Sequence, residues 1–196
     1  TNVSYMFSRL MSLNTPYEDV TGVKYLCNED LFAKCPAITN ISHLFYYLNR
    51  MPACNIYPNL FRNQSQITDA SYLFFFTYNL TGAVTQQFLS SCLGKLQYAN
   101  NMFCLCNMTS VNPNFLNLGQ RNSILKRVGC IFHGNFDQAN NNNAGASPKF
   151  WDKSLFPNIE STESGYQHAL AGCTKLTNYN EAAQVAEGTW VSGKSH

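Results

Sequence analysis

A chain of 196 residues fits one domain and can bury a sizeable core without metals or staples. Charged residues are 12% of it, against roughly 25% in typical soluble domains, and 24 asparagines fill much of that gap. The net charge of +2, with Arg121, Lys126 and Arg127 as the densest basic spot, argues against a nucleic-acid partner, and no apolar run approaches the ~20 residues of a membrane span.

The chain opens on Thr1-Asn2-Val3-Ser4-Tyr5-Met6-Phe7, a truncated copy of an octet that recurs downstream. Because it starts on Thr rather than Met, and inside that pattern, a processed chain or a piece of a longer one is expected. Phe32, Cys35 and Ile38, each three apart, lead into the first full octet, Ile38-Thr39-Asn40-Ile41-Ser42-His43-Leu44-Phe45. Ile67-Thr68-Asp69-Ala70-Ser71-Tyr72-Leu73-Phe74 follows, then Leu96-Gln97-Tyr98-Ala99-Asn100-Asn101-Met102-Phe103, then Leu125-Lys126-Arg127-Val128-Gly129-Cys130-Ile131-Phe132. Each starts 29 residues after the last. Phe is 14 of 196 residues, so three further Phe in register by chance is roughly a four-in-ten-thousand event per phase.

A second ladder, Phe61, Phe88 and Phe115, runs between the octets at a spacing of 27, each Phe after a turn-forming stretch such as Asn55-Ile56-Tyr57-Pro58. The pattern breaks from Gly134 to Pro157 around Gln138-Ala139-Asn140-Asn141-Asn142-Asn143-Ala144-Gly145, which reads as a long loop. Phe150, Trp151, Leu155 and Phe156 are expected to pack back onto the repeats. Leu170, Cys173 and Leu176 introduce a degraded copy, Leu176-Thr177-Asn178-Tyr179-Asn180-Glu181-Ala182-Ala183, and 184–196 reads as a cap or exit tail.

Half-units of this length cannot bury an apolar face alone, whereas stacked copies put Phe over Phe and Leu over Leu. Apolar residues at octet positions one, four, seven and eight suit one face of a short helix, with Thr39 or Thr68 as N-cap. The β-branched and aromatic content suits short strands. The expected fold is therefore an α/β repeat: a leucine-rich-repeat-like solenoid of about 29-residue units with short helices and short strands. Residues 1–135 would form the repeats, 136–158 an Asn-rich insertion and 159–196 a degraded last repeat with its cap, in one continuous domain.

The run Phe32-x-x-Cys35-x-x-Ile38-x-x-Ile41, with the Ser-Tyr-Leu/Met-Phe octets, resembles the BspA-like branch of leucine-rich repeats, found on bacterial surfaces and in some phage proteins. The resemblance covers roughly 1–135 and 169–183, though the usual repeat in that branch is shorter than 29. It implies a solenoid that binds proteins or other surface ligands, without catalytic residues or cofactors, at the cell surface or outside the cell, or alternatively on a virion.

Several motifs have plainer readings. Gly188-Thr189-Trp190-Val191-Ser192-Gly193-Lys194-Ser195 spells a P-loop, but Glu181–Glu187 is a poor strand before it and no helix or magnesium-binding acid follows in the sequence. Cys35, Cys92 and Cys173 fall at or near one repeat column, as free core thiols would, while Cys27 and Cys54 leave room for a bridge. Cys104, Cys106, Cys130 and His133 are zinc-ligand types, but the close pair is one residue too tight for a zinc knuckle, so no metal is expected. The Asn-x-Ser/Thr sequons at Asn2, Asn40, Asn63, Asn79 and Asn107 recur with the repeat itself.

Aromatic residues beyond core needs point to a ligand face: Tyr46, Tyr47, Phe75, Phe76 and Tyr78, with His43, Tyr72 and Asn101 at octet position six. The expectation is a non-catalytic, adhesin-like or receptor-binding module for a protein or glycan. The alternative is a structural element of a large assembly such as a virion, with neighbouring subunits as partners. A nucleotide-binding enzyme fragment is the remote third.

Overall fold

The computed structural model describes residues 1–10, 15–112, 114–133, 155–160 and 169. The P-loop-like tail, the degraded octet, the Asn-rich stretch, Cys173, Phe150 and Trp151 lie outside these residues.

The α/β solenoid with short helices is not what forms. Among the described residues there is no α-helix, a single 3-10 turn at Ser90–Cys92, and strands of two residues each that do not close into a solenoid. Strands β1 (Tyr17–Glu18), β2 (Lys24–Tyr25), β3 (Cys54–Asn55) and β4 (Leu80–Thr81) make one sheet in that order, the first pair antiparallel and the others parallel. Strands β5 (Ala83–Val84) and β6 (Ser110–Val111) pair in parallel in a second sheet. The chain passes from β4 to β5 at Gly82, whose φ of +98° and closeness to the Asn55 side chain (2.7 Å from an ideal Cβ) leave no room for a side chain.

The octets are successive turns, and their hydrogen bonds explain why no helix appears. The N–H groups of Ile41, His43, Phe45 and Tyr47 donate not four residues back but to the carbonyls of Asp69, Ser71, Leu73 and Phe75. Ala70, Tyr72, Phe74 and Phe76 do the same to Tyr98, Asn100, Met102 and Cys104, and Ala99, Asn101, Phe103 and Leu105 to Arg127, Gly129, Ile131 and His133. Between these outward bonds the chain closes tight turns, as in Leu44 N–H to Ile41 O and Tyr46 N–H to His43 O. Octet position six is left-handed in every described copy (Tyr5, His43, Tyr72, Asn101, Cys130; φ 53 to 61°), which a right-handed helix forbids.

The polar octet positions serve the same turns. Asn2, Asn40 and Asp69 each accept, through Oδ1, the N–H two residues on, so the Asn-x-Ser triplets at Asn2 and Asn40 act here as Asx-turns. Thr39 and Thr68 cap no helix. Their hydroxyls donate to the carbonyls of Thr1 and Thr39 in the preceding copy. Thr77 and Cys106, 29 apart in the sequence, both donate to the carbonyl of an octet Phe one copy back, Phe45 and Phe74.

Positions one, four, seven and eight of all four full octets are buried. Octet phenylalanines stack in a row, Phe7, Phe45, Phe74, Phe103 and Phe132, with ring centroids 5.4 to 5.7 Å apart. Phe88 and Phe115 face them across the core, and Phe61 meets Phe88 edge-on. Burying each ring contributes roughly 1.5–3 kcal/mol. Gln64, which stands where Cys35 does one copy earlier, is also fully buried and donates to Phe32 O at 2.6 Å. Phe156 enters the core and Leu155 packs against it, while Arg127 binds Glu160 at 2.6 Å and lies over the Tyr98 ring.

The first octet departs from the 29-residue spacing. Thr39 meets Thr1, 38 residues away, and the excess is taken up by the β1–β2 hairpin. Asp19 Oδ1 holds its turn by accepting from Thr21 and Val23, and Val20 stands wholly exposed at the tip.

Candidate ligand binding face

Three outward columns run along the octets. Position six carries Tyr5, His43 and Tyr72, stacked at 4.3 and 4.6 Å with ring planes within 14° of parallel. Asn101 continues the column without a ring and Cys130 follows it. At positions nine and ten, just past the octet's end, Tyr46 stacks on Phe75 (5.4 Å, 6°) and Tyr47 on Phe76 (4.9 Å, 10°). Tyr78 tilts against Phe76 at 4.7 Å. The columns also touch sideways, His43 with Tyr46 and Tyr72 with Phe75.

The eight residues singled out from the sequence thus fall on neighbouring columns, and all are half-buried. Their position follows from the backbone. Inward residues at positions seven and eight alternate with outward ones at six, nine and ten, and the left-handed residues at six and ten (Tyr47 and Phe76 have φ of 61 and 62°) turn those side chains out. Where Tyr5, His43, Tyr46 and Tyr47 stack on the ring of the next copy, the touching faces are covered and ring edges are left at the surface.

The electrostatics are mild. Burial lowers the His43 pKa, with Asp69 acting the other way, and its Nδ1 has no hydrogen-bond partner. Burial raises the Tyr72 and Tyr78 hydroxyls, so both stay neutral phenols at physiological pH. Arg9 lies over the Tyr46 ring, its guanidinium carbon 5.7 Å from the centroid.

The cysteines divide differently from the single-column expectation. Cys92 is fully buried, but Cys35 is exposed and does not pack in the core. Cys27, Cys35, Cys54, Cys92, Cys104 and Cys106 are free thiols, so Cys27 and Cys54 form no bridge. Burial pushes Cys27, Cys54 and Cys92 up to about 12 and raises Cys104 and Cys106 further, which disfavours the thiolate that metal binding or nucleophilic attack requires. Cys106 is committed to Phe74 O, and among the described residues no group of three or more His, Cys, Asp or Glu converges to hold a metal ion. No helix among the described residues is long and apolar enough to cross a membrane.

Two features escaped the sequence reading. Tyr25 stacks on Tyr57 at 3.7 Å with Tyr17 beside them at 6.3 Å, a cluster assembled by the β1–β2–β3 pairing. The other is a cavity of about 360 Å³ at the Tyr5 end of the columns, lined by Tyr5, Ser8, Arg9, His43 and Tyr46. The only signal for it in the sequence is that Ser8 occupies the position held by Tyr46 and Phe75 in the next two copies. Compared with family models, with curated proteins and with solved structures, the chain matches none of them.

Proposed function

We propose that this chain is a non-catalytic binding module that takes a protein or glycan surface on its aromatic columns. The observation that carries the reading is the set of half-exposed rings, Tyr5-His43-Tyr72, Tyr46-Phe75 and Tyr47-Phe76-Tyr78, fixed side by side on a hydrogen-bonded backbone. Rings held rigidly lose little entropy on binding, and large aromatic side chains dominate recognition surfaces. The low charge of the chain suits a contact made by shape and hydrogen bonding rather than by a strong field. Likeness of the octets to BspA-like sequences supports an adhesin-like or receptor-binding role on a bacterial surface or phage appendage. Glycan and protein arrays probed with the purified chain test this. A ligand whose binding is lost in the Tyr47→Ser/Phe76→Ser double variant supports it, and a chain that binds nothing, or binds equally well in the variant, sinks it.

One observation favours a second reading, a structural element of a larger assembly. Val20, Leu31 and Leu118 are apolar and exposed, as side chains covered by a neighbouring subunit would be. Light scattering decides between the two: a stable monomer favours the binding module, a defined oligomer the structural element.

A further inference from the structure

The columns are not equivalent along their length. Toward the next copy, His43, Tyr46 and Tyr47 are each stacked by a ring, so on that side a ligand meets edges. At the Tyr5 end this changes. Tyr46 stacks on Phe75 with one face, and toward the other the preceding octet supplies Ser8 where its own column predicts a ring. Tyr5 covers one face of His43. Replacing a ring by a hydroxymethyl group creates a ring-sized recess, and the cavity of about 360 Å³ lies there.

The chemistry lining that recess is specific. Arg9 is its one permanent charge, and no carboxylate of the described residues pairs with the guanidinium, whereas Arg62 and Arg127 each hold acids. Arg9 is held in place by its own backbone, whose N–H donates to Tyr46 O at 2.9 Å, and by the Tyr46 ring under its guanidinium. Ser8 and the tyrosines add hydroxyls, and the His43 ring closes the wall. Aromatic side chains, hydroxyls and an unpaired guanidinium together match a flat ring with hydroxyl groups and a carboxylate.

We propose that this recess is a subsite for an acidic sugar residue, a hexuronic or sialic acid, whose ring packs against the tyrosine side chains that line it and whose carboxylate pairs with Arg9. The proposal rests on the binding-module reading and deepens it by naming the ligand class. A neutral sugar finds the same side chains but leaves Arg9 unpaired, and a peptide has less use for a recess shaped to one ring.

Isothermal titration on the full chain tests it, with a hyaluronan hexasaccharide against its carboxyl-reduced counterpart and sialyllactose against lactose. At least one acidic probe should bind about tenfold or more tightly than its neutral partner, a difference of about 1.4 kcal/mol. Arg9→Gln should erase that preference while sparing the weaker binding. Ser8→Tyr, which puts a ring where the next copies have one, should abolish binding with the urea midpoint kept. If Ser8→Tyr fails to fold, the Arg9→Gln comparison carries the test alone. Equal affinity for acidic and neutral probes, or indifference to either variant, overturns the subsite. A ligand lost in Tyr47→Ser/Phe76→Ser but untouched by the Ser8 and Arg9 changes overturns the subsite and leaves the binding module standing. No ligand for any probe or array removes both.

Discussion

Inward and outward columns of the same octets behave in opposite ways. Inside, position eight is Phe in every full copy and position seven is Leu, Leu, Met and Ile, all buried. Outside, position six runs Tyr5, His43, Tyr72, Asn101 and Cys130, and the column beginning at Ser8 continues through Tyr46 and Phe75. An inward ring must fit the rings above and below it at close-packed density, so one copy constrains the next. An outward side chain meets solvent on at least one side, and its identity can change from copy to copy without disturbing the stack. Variation along the outward columns is what makes one end of the face chemically different from the other.

Adjacent phenylalanines give the sharpest way to break this comparison. Phe74→Ala empties a core position and should cost about 3–5 kcal/mol in urea unfolding, whereas Phe75→Ala, one residue on and outward, should cost under ~1.5 kcal/mol. Similar losses at both positions would mean that the outward columns are a second core rather than a face. Next in size is Thr77→Val, which keeps the shape but removes the hydroxyl that accepts from Leu48 N–H and donates to Phe45 O. Two buried backbone groups lose their partner, so the stability from urea unfolding should fall by about 1–3 kcal/mol with the m-value unchanged.

The smallest effect concerns His43. Burial holds its folded pKa below the ordinary 6.5, so between the two values the unfolded chain binds the extra proton. Its share of stability is complete above the unfolded value and is lost as pH falls through it to the folded one. The melting temperature should therefore drop from about pH 8 to about pH 5, and drop less in His43→Tyr, since Tyr already occupies this left-handed position at Tyr5 and Tyr72. The histidines common to both proteins cancel in the difference.

The spacing of the octets, and which of their residues are too apolar to face water, were legible from the residues alone. The conformation was not. Apolar residues at one, four, seven and eight fit two turns of a helix as well as they fit successive tight turns, so the spacing alone does not choose between them. The aromatic residues of the candidate face were also legible as a surplus beyond core needs. Tyr5, Ser8 and Arg9 were missed because a recess is defined by the ring that is missing beside Tyr46, and only the stacked copies reveal that. The Tyr17-Tyr25-Tyr57 cluster was missed because strand pairing brings together residues 32 apart that share no periodic pattern.

By itself, then, the sequence determined the 29-residue register, the buried columns and the low charge, because these depend on composition and order alone. Tertiary structure decided the rest. The N–H of Ile41 finds its acceptor at Asp69, in the next copy, and not within its own octet. Satisfying backbone groups across copies selects turns over helix, puts the left-handed residues at position six, and so decides which side chains face out together.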